Sequence, residues 1–236
     1  MALFITFEGG EGSGKSTQAN ILLEKLRKQK ESGASFAEEP GTTLLGRQVR
    51  EWLRGHDRPL IVIPGRSTQL SLPVDYNGDN LPAIYLHAGS PREELLAFTL
   101  ARSQLVEDYI LPKLKGKNVV ICNRYADSTT AYQGYGRRLD LKLVEMANNI
   151  ATQGLKPDLT ILLDIPPEKG VARKFGAVKK FEREELEFHQ RVRKGYLKLA
   201  AAEPQRWLVI DATQDKETLA AIIWKKVRQL LPSRRG

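Results

Sequence analysis

The residues best suited to chemistry lie near the start of the chain, at positions 9–17. They read Gly-Gly-Glu-Gly-Ser-Gly-Lys-Ser-Thr and contain the pattern G-x-x-x-x-G-K-S. Glycines at this spacing let successive backbone N–H groups converge on one point, where a lysine and a hydroxyl can meet a nucleotide phosphate and its metal ion. An apolar run at 2–7 predicts a buried strand before the pattern, and apolar spacing over 18–30 predicts a helix after it. In this setting the pattern predicts a phosphate-binding loop.

The remainder of the chain predicts the elements that must position this loop. Further strands are expected at 34–37, 117–122, 158–163 and 207–210, and helices at 44–54, 91–114, 140–152, 182–202 and 217–231. The 91–114 helix has a clear start, because Ser90 and Pro91 are typical of a capped first turn. Strands alternating with helices predict an α/β fold with a parallel sheet covered by helices on both faces.

One stretch, 55–90, departs from this alternation. Proline and glycine punctuate it, and only 60–63 and 83–86 look like short strands. A segment of this length without a clear helix is unusual inside a compact domain. We therefore interpret it as an insertion into a single domain spanning 1–232, followed by a short basic tail at 233–236.

Composition limits the classes of function. The formal charge of +9 is spread along the chain, which favours a protein that holds several phosphates of a small molecule over one that binds nucleic acid. No apolar run is long enough to span a membrane, and the N-terminus shows no signal peptide. The single cysteine, Cys122, is expected to be a buried reduced thiol. A cytoplasmic protein is expected.

Several segments resemble thymidylate kinase, the family that transfers the γ-phosphoryl group of ATP to dTMP. They lie at 4–17, 39–41, 123–128, 131–137, 157–160 and 181–197, and the most specific reads Asn-Arg-Tyr-Ala-Asp-Ser followed by Ala-Tyr-Gln-Gly-Tyr-Gly-Arg. The resemblance covers nearly all of the chain except 55–90. It implies a P-loop NTPase-type fold like that of nucleoside monophosphate kinases, with a lid at 173–182, ATP and Mg²⁺ as donor and cofactor, and a homodimer.

The resemblance also implies a role for particular residues. The donor phosphates would be held by the loop, that is by Gly10, Glu11, Gly12, Ser13, Gly14, Lys15, Ser16 and Thr17, with Ser16 facing Mg²⁺. The dTMP phosphate would be held by Arg50 and Arg124, whose guanidinium forks suit phosphate oxygens. The nucleoside would be held by Phe98, Arg102, Ser128, Thr129, Tyr132 and Gln133. The catalytic candidates within this set are Lys15, Arg124 and Glu11. Of these, Glu11 would face the sugar of the acceptor.

Apart from Lys15, the loop carries no basic residue that could reach the transferring phosphoryl group, so the resemblance implies that a further cation comes from the lid. The candidates are Arg173, Lys174, Lys179, Lys180 and Arg183, and Arg173 is preferred because a guanidinium offers a fixed fork.

Three positions depart from the family pattern. Asn123 stands where the family has an aspartate, Glu38 replaces an arginine, and Ala101 replaces an aspartate beside Arg102. The change at position 101 implies that Arg102 lacks its orienting partner. The loss of the aspartate at position 123 predicts weakened catalysis unless another carboxylate takes its place. The candidates for this substitute are Glu39, Glu11 and Asp164. Two alternatives to a dTMP kinase therefore stay open. One is a kinase for another nucleoside monophosphate, and the other is a catalytically weakened nucleotide-binding paralogue that acts through a partner.

Overall fold

A computed structural model describes residues 2–29, 33–53, 60–61, 83–84, 90–175 and 183–231. Its strands are β1 (Leu3–Glu8), β2 (Ser35–Glu38), β3 (Leu60–Ile61), β4 (Ala83–Ile84), β5 (Val119–Asn123), β6 (Leu159–Asp164) and β7 (Trp207–Asp211). Five of them form a parallel sheet in the order β2-β5-β1-β6-β7, and β3 and β4 form a separate antiparallel pair. The expected parallel α/β fold is confirmed.

The helices cover this sheet. They are α1 (Lys15–Lys28), α2 (Leu44–Leu53), α3 (Pro91–Leu105), α4 (Leu111–Lys115), α5 (Ala126–Thr129), α6 (Leu141–Thr152), α7 (Pro167–Phe175), α8 (Arg183–Ala202) and α9 (Lys216–Leu230). Two π-helical segments, Val106–Ile110 and Thr130–Gly136, continue α3 and α5. As expected, Ser90 caps α3, because its hydroxyl accepts from the backbone N–H of Glu93 while the Glu93 carboxylate accepts from that of Ser90.

The central strands are buried on both faces. In β1, Leu3, Ile5 and Phe7 belong to one apolar cluster with residues of α1 and α9, whereas Phe4 belongs to another cluster with the end of α3. Neighbouring residues of a strand point to opposite faces, so the two clusters lie on opposite sides of the sheet. This packing accounts for the continuous apolar runs in the sequence.

The strand register brings polar residues together at one edge. Asn123, the last residue of β5, is opposite Glu38 of β2 on one side and Phe7 of β1 on the other. In open parallel sheets this carboxyl edge is where ligands bind. The fold therefore places Glu38, Asn123 and the loop that follows β1 side by side.

Some expected boundaries were wrong. The first helix begins at Lys15 and not at 18, because Gly14 in a left-handed conformation ends the loop and serves as its N-cap. Residues 126–136, to which the sequence assigned no element, are helical. Most of the insertion, most of the lid and the basic tail lie outside the described residues. Within the residues described, none of the helices is both long enough and apolar enough to span a membrane.

Candidate active site

The phosphate loop joins β1 to α1 and depends on two left-handed glycines. Gly12 has φ 65° and Gly14 has φ 91°, conformations that a side chain disfavours. A Cβ on Gly12 would also lie 1.8 Å from the carbonyl oxygen of Gly170 in α7. The contact with Gly170 explains the glycine at position 12, which the pattern itself leaves open, since the loop backbone packs there directly on another backbone.

Lys15 folds back over this loop. Its ammonium donates to the carbonyl oxygens of Gly10 (2.7 Å) and Gly9 (3.0 Å) and to Oγ of Ser13 (3.2 Å), and the residue is only 8% exposed. Together with the N-terminus of α1, whose first turn contains no acidic residue, the lysine makes the loop a positive, anion-binding surface.

A cavity of about 330 Å³ lies beside the loop. Its lining includes every residue that the sequence assigned to substrate binding, namely Arg50, Phe98, Arg102, Arg124, Ser128, Thr129, Tyr132 and Gln133, together with Glu11 of the loop. It also includes Glu38, Glu39, Pro40 and Asn123, which the substrate-binding set did not contain. The volume is within the range of small-molecule sites.

Arg124 occupies the boundary between the loop and the cavity. One nitrogen of its guanidinium donates to Oε1 of Glu11 (3.0 Å) and to the hydroxyl of Tyr132 (3.1 Å), and the guanidinium lies over the Tyr132 ring, 4.9 Å from its centre. The other nitrogen approaches Oγ of Ser128 (3.3 Å) and the hydroxyl of Tyr196 (3.4 Å). This arginine therefore connects α5, α8 and the phosphate loop.

Glu8 contacts the same two hydroxyl groups as Arg124, and it was not among the residues predicted from the sequence. Its carboxylate accepts from the backbone N–H of Tyr125 (2.8 Å), from Oγ of Ser128 (2.5 Å) and from the hydroxyl of Tyr196 (3.0 Å). Complete burial, followed by the charge of Asp127, raises the pKa of Glu8 from 4.5 to about 7. Its place as the last residue of a buried strand was the only signal that the sequence offered.

Arg102 is fully buried on the cavity wall. Its guanidinium forms an ion pair with both oxygens of Glu39 and donates to Oδ1 of Asn148 (2.6 Å) and Oγ1 of Thr129 (2.7 Å). The resemblance suggested that Ala101 leaves this arginine without an orienting partner, and that expectation was wrong because Glu39 orients it. Phe98, one helical turn earlier, is half-buried and lines the same cavity.

Arg50 reaches the cavity from α2. It pairs with Oε2 of Glu38 (2.9 Å), and its guanidinium lies close against Gly41, where an added Cβ would meet it at 2.6 Å. The charge reversal at position 38 thus gives Arg50 a carboxylate partner at the cavity wall.

Asn123 lies between this pair and the loop. Its Nδ2 donates to Oγ of Ser16 (3.0 Å) and approaches Oε1 of Glu38 (3.3 Å). Its Oδ1 is buried and has no hydrogen-bond donor among the residues that the structure describes. Hydroxyl, amide and carboxylate oxygens are the ligands that Mg²⁺ prefers. Ser16 Oγ and Asn123 Oδ1 are oxygen ligands of the kind that a hard cation takes, while the end of the Asn123 amide that contacts Ser16 is Nδ2.

The substitute carboxylates suggested by the sequence are held elsewhere. Glu39 pairs with Arg102, Glu11 with Arg124, and both oxygens of Asp164 accept from the guanidinium of Arg193 (2.7 and 2.8 Å). The carboxylate that adjoins Asn123 is that of Glu38, which was not among those candidates.

Arg173, the preferred lid cation, lies on a different part of the site. Its guanidinium donates to the carbonyl oxygens of Ala212 (2.6 Å) and Thr213 (3.2 Å), in the loop after β7. The structure does not bring it to the cavity wall with the other predicted residues. The side chains of Lys174, Lys179, Lys180 and Arg183 lie outside the described residues.

Known proteins are similar to this chain over nearly its whole length. A family model described as thymidylate kinase matches residues 7–60 and 83–223. The thymidylate kinase of Synechococcus sp. (strain JA-2-3B'a(2-13)) is 42% identical over 230 residues, covering 98% of this chain and 96% of that protein. That of Thermomicrobium roseum is 41% identical over 236 residues, covering 98% and 97%. The crystal structure of thymidylate kinase from Ehrlichia chaffeensis is similar with a TM-score of 0.69 at 30% identity, covering 97% of this chain and 99% of that one.

Proposed function

The chain belongs to the thymidylate kinase family and transfers the γ-phosphoryl group of ATP to dTMP, and we propose that the phosphate loop and the adjoining cavity are the two halves of its active site. The observation that carries the proposal is the contact of Arg124 with Glu11. This salt bridge, at 3.0 Å, joins the wall of the cavity to the loop. A donor held on one side and an acceptor held on the other would therefore meet at Arg124.

The donor phosphates bind on the loop. Backbone N–H groups of Gly10 to Thr17 surround them, and the ammonium of Lys15 exchanges its contacts with the Gly9 and Gly10 carbonyls for phosphate oxygens. Because the ammonium is already held over the loop, little reorganisation is needed when the nucleotide arrives.

The acceptor phosphate binds between Arg50 and Arg124. Both guanidinium groups line the cavity and are partly exposed, at 28% and 20% of the side chain, so each can offer N–H donors to a ligand while retaining its carboxylate partner. Phosphoryl transfer requires mainly position and positive charge from the protein. Two arginines fixed by Glu38 and Glu11 supply both.

The nucleoside occupies the remainder of the cavity. Phe98 offers an aromatic face for the base, and Arg102 and Thr129 offer polar groups at the base's edge. Ser128, Tyr132, Gln133 and Glu11 complete the lining near the sugar. Because Arg102 is locked by Glu39 and Asn148, the base would meet a rigid wall, and rigid polar walls discriminate strongly between ligands.

Mg²⁺ is the cofactor that the loop would use. Ser16 would hold it directly, with Asn123 and Glu38 adjacent, and the ion would neutralise charge on the β- and γ-phosphates. The residues present fit this ion because Oδ1 of Asn123, which accepts no hydrogen bond from the part of the chain that the structure describes, is a suitable oxygen ligand.

A homodimer would use the outer faces of α3 and α6. Leu96 and Leu100 are 60% and 39% exposed on α3, and Met146 and Ile150 are 64% and 77% exposed on α6. Each pair is spaced four residues apart and so lies on one face of its helix, and the two helices pack against each other, which makes these exposed apolar faces neighbours. A second copy of this chain is the occupant we propose. Residence in the cytoplasm and the lack of a nucleic-acid partner stay predictions.

The acceptor half is tested by Arg50→Ala, with Arg47→Ala as the control because Arg47 lies exposed on the same helix. Loss of a charged hydrogen bond to phosphate should raise the KM for dTMP roughly ten- to a hundred-fold while leaving the KM for ATP near that of the parent. Steady-state ADP release measures both constants. An unchanged KM for dTMP in Arg50→Ala would place the acceptor phosphate elsewhere.

A further inference from the structure

Glu38, Asn123 and Ser16 form a connected series at the carboxyl edge of the sheet. The last residues of β2 and β5 are in register, which places the Glu38 side chain beside that of Asn123. The amide Nδ2 of Asn123 lies 3.3 Å from Oε1 of Glu38 and 3.0 Å from Oγ of Ser16. A carboxylate charge is therefore one amide away from the loop hydroxyl.

The carboxylate of Glu38 decides which way this amide points. An ionised carboxylate only accepts hydrogen bonds, so it requires the N–H₂ end of Asn123 to face it. That orientation leaves Oδ1 as the end of the amide without a donor among the described residues. A buried acceptor without a partner is costly, and a ligand that satisfies it would be favoured.

Glu38 is held in place and stays accessible. Its backbone N–H donates to Oγ1 of Thr42 (2.7 Å) and its carbonyl accepts from the Thr42 backbone N–H (3.0 Å), which fixes the end of β2. The side chain is 38% exposed, whereas Glu39 is almost fully buried against Arg102. Its second oxygen pairs with Arg50 (2.9 Å), so one carboxylate contacts both a cavity arginine and the amide that reaches the loop hydroxyl.

We propose that Glu38 is a positioning residue for the divalent cation of the nucleotide, acting through Asn123 on Ser16. It supplies, from the neighbouring strand, the negative charge that Asn123 lacks. It also holds the Asn123 amide so that Oδ1, which has no donor within the described residues, is available to the cation or to a water molecule on it. This inference rests on the proposed placement of the nucleotide phosphates at the loop. It assigns to the charge reversal at position 38 a function that compensates the change at position 123.

The test is the affinity of the protein for Mn²⁺ in the presence of the non-hydrolysable β,γ-imido analogue of ATP, measured by electron paramagnetic resonance without dTMP. Glu38→Gln should weaken Mn²⁺ binding by roughly ten-fold or more, because it removes the charge and allows the amide to turn. Glu24→Gln is the matched control, since Glu24 is exposed on α1, the helix that carries Ser16, and it should bind Mn²⁺ as the parent does.

A double variant separates the proposed function of Glu38 from a merely structural one. Glu38→Gln combined with Asn123→Asp returns a carboxylate to the same place and should restore most of the lost Mn²⁺ affinity. Circular dichroism checks that each variant is folded. If Glu38→Gln alone does not fold, the same comparison is made with Glu38→Asp. This variant moves the carboxylate away from Asn123 by the length of one methylene group and should also weaken Mn²⁺ binding.

Two outcomes would overturn the inference. One is an Mn²⁺ affinity in Glu38→Gln equal to that of the parent. The other is weakened binding of dTMP with unchanged binding of Mn²⁺, which would make Glu38 only the partner of Arg50. Absence of nucleotide-dependent Mn²⁺ binding in the parent protein would instead contradict the proposed donor site.

Discussion

Arg124 is linked to the buried carboxyl group of Glu8 through two hydroxyl groups. Arg124 contacts the hydroxyls of Ser128 and Tyr196, and the same two hydroxyls donate to Glu8. Glu8 thus acts on the arginine through hydroxyls and without a direct ion pair, so the guanidinium keeps N–H groups for a ligand. Its own environment is unfavourable for a charge, as the raised pKa shows.

Glu8 should give the protein a measurable dependence of stability on pH. Its pKa is 4.5 when exposed and about 7 when folded, so the folded state holds a proton that the unfolded state releases. This contribution is fully present below about pH 4.5 and is lost as the pH rises through about 7. Relative to Glu8→Gln, the free energy of unfolding of the parent should fall by about 3 kcal/mol between pH 4.5 and pH 8.

Urea unfolding at a series of pH values measures this difference. Glu24→Gln, a change at an exposed carboxyl group, is the control and should leave the pH dependence of the parent in place. Parallel pH profiles for the parent and Glu8→Gln would show that the buried carboxyl group does not change its protonation on folding.

Lys15 should be required for turnover but not for the fold. Lys15→Ala removes the ammonium that covers the loop, and loss of one charged donor from a phosphoryl-transfer site commonly lowers kcat by about a hundred-fold or more. Lys28→Ala, at the exposed far end of α1, is the control. Parent-like ADP release from a folded Lys15→Ala protein would place the donor phosphates elsewhere.

At the scale of elements, the shape of the loop depends on α7. Backbone atoms of Gly12 and Gly170 approach so closely that a Cβ on Gly170 would lie 2.1 Å from the carbonyl oxygen of Glu11. Neither partner is a side chain that could turn aside. The helix therefore fixes the height of the loop above the sheet.

Gly170→Ala should disturb both stability and ATP binding. The added methyl group must displace the loop or the helix, and overpacking of this kind costs about 1–3 kcal/mol of unfolding free energy. We expect a raised KM for ATP together with a lower midpoint of thermal unfolding. Ala172→Ser, at an exposed position of α7, should change neither quantity. A parent-like KM for ATP in Gly170→Ala would show that the loop tolerates the shift.

The elements differ in how well the sequence predicts them. Strands buried on both faces are continuous apolar runs, so the parallel sheet and its alternation with helices could be predicted. The segment Thr130–Gly136 could not, because Gly134, Gly136 and polar side chains give no helical periodicity, and its conformation depends on packing against α8. Arg124 was predicted from a motif, whereas the function proposed for Glu38 depends on strand register, which the sequence does not reveal.

At the scale of the whole molecule, a monomer would leave the apolar side chains of Leu96, Leu100, Met146 and Ile150 on α3 and α6 exposed to water. Ile150→Glu places a charge at the most exposed of these four apolar residues and should convert a dimer into monomers, measured by size-exclusion chromatography with light scattering. Leu197→Glu, a comparable change at an exposed apolar residue of α8, is the control and should stay dimeric. A monomeric parent protein would exclude the second copy as the occupant of this surface.

The acceptor specificity of the whole enzyme tests the account most directly. ADP release is measured with ATP, Mg²⁺ and dTMP, dUMP, dCMP, AMP or GMP in turn, and kcat/KM is compared across the series. The cavity walled by Phe98 and the fixed Arg102 should give dTMP the highest value and should disfavour the two purine nucleotides strongly. Equal or faster turnover of AMP or GMP, or no turnover of any acceptor by a protein that still binds ATP, would contradict it.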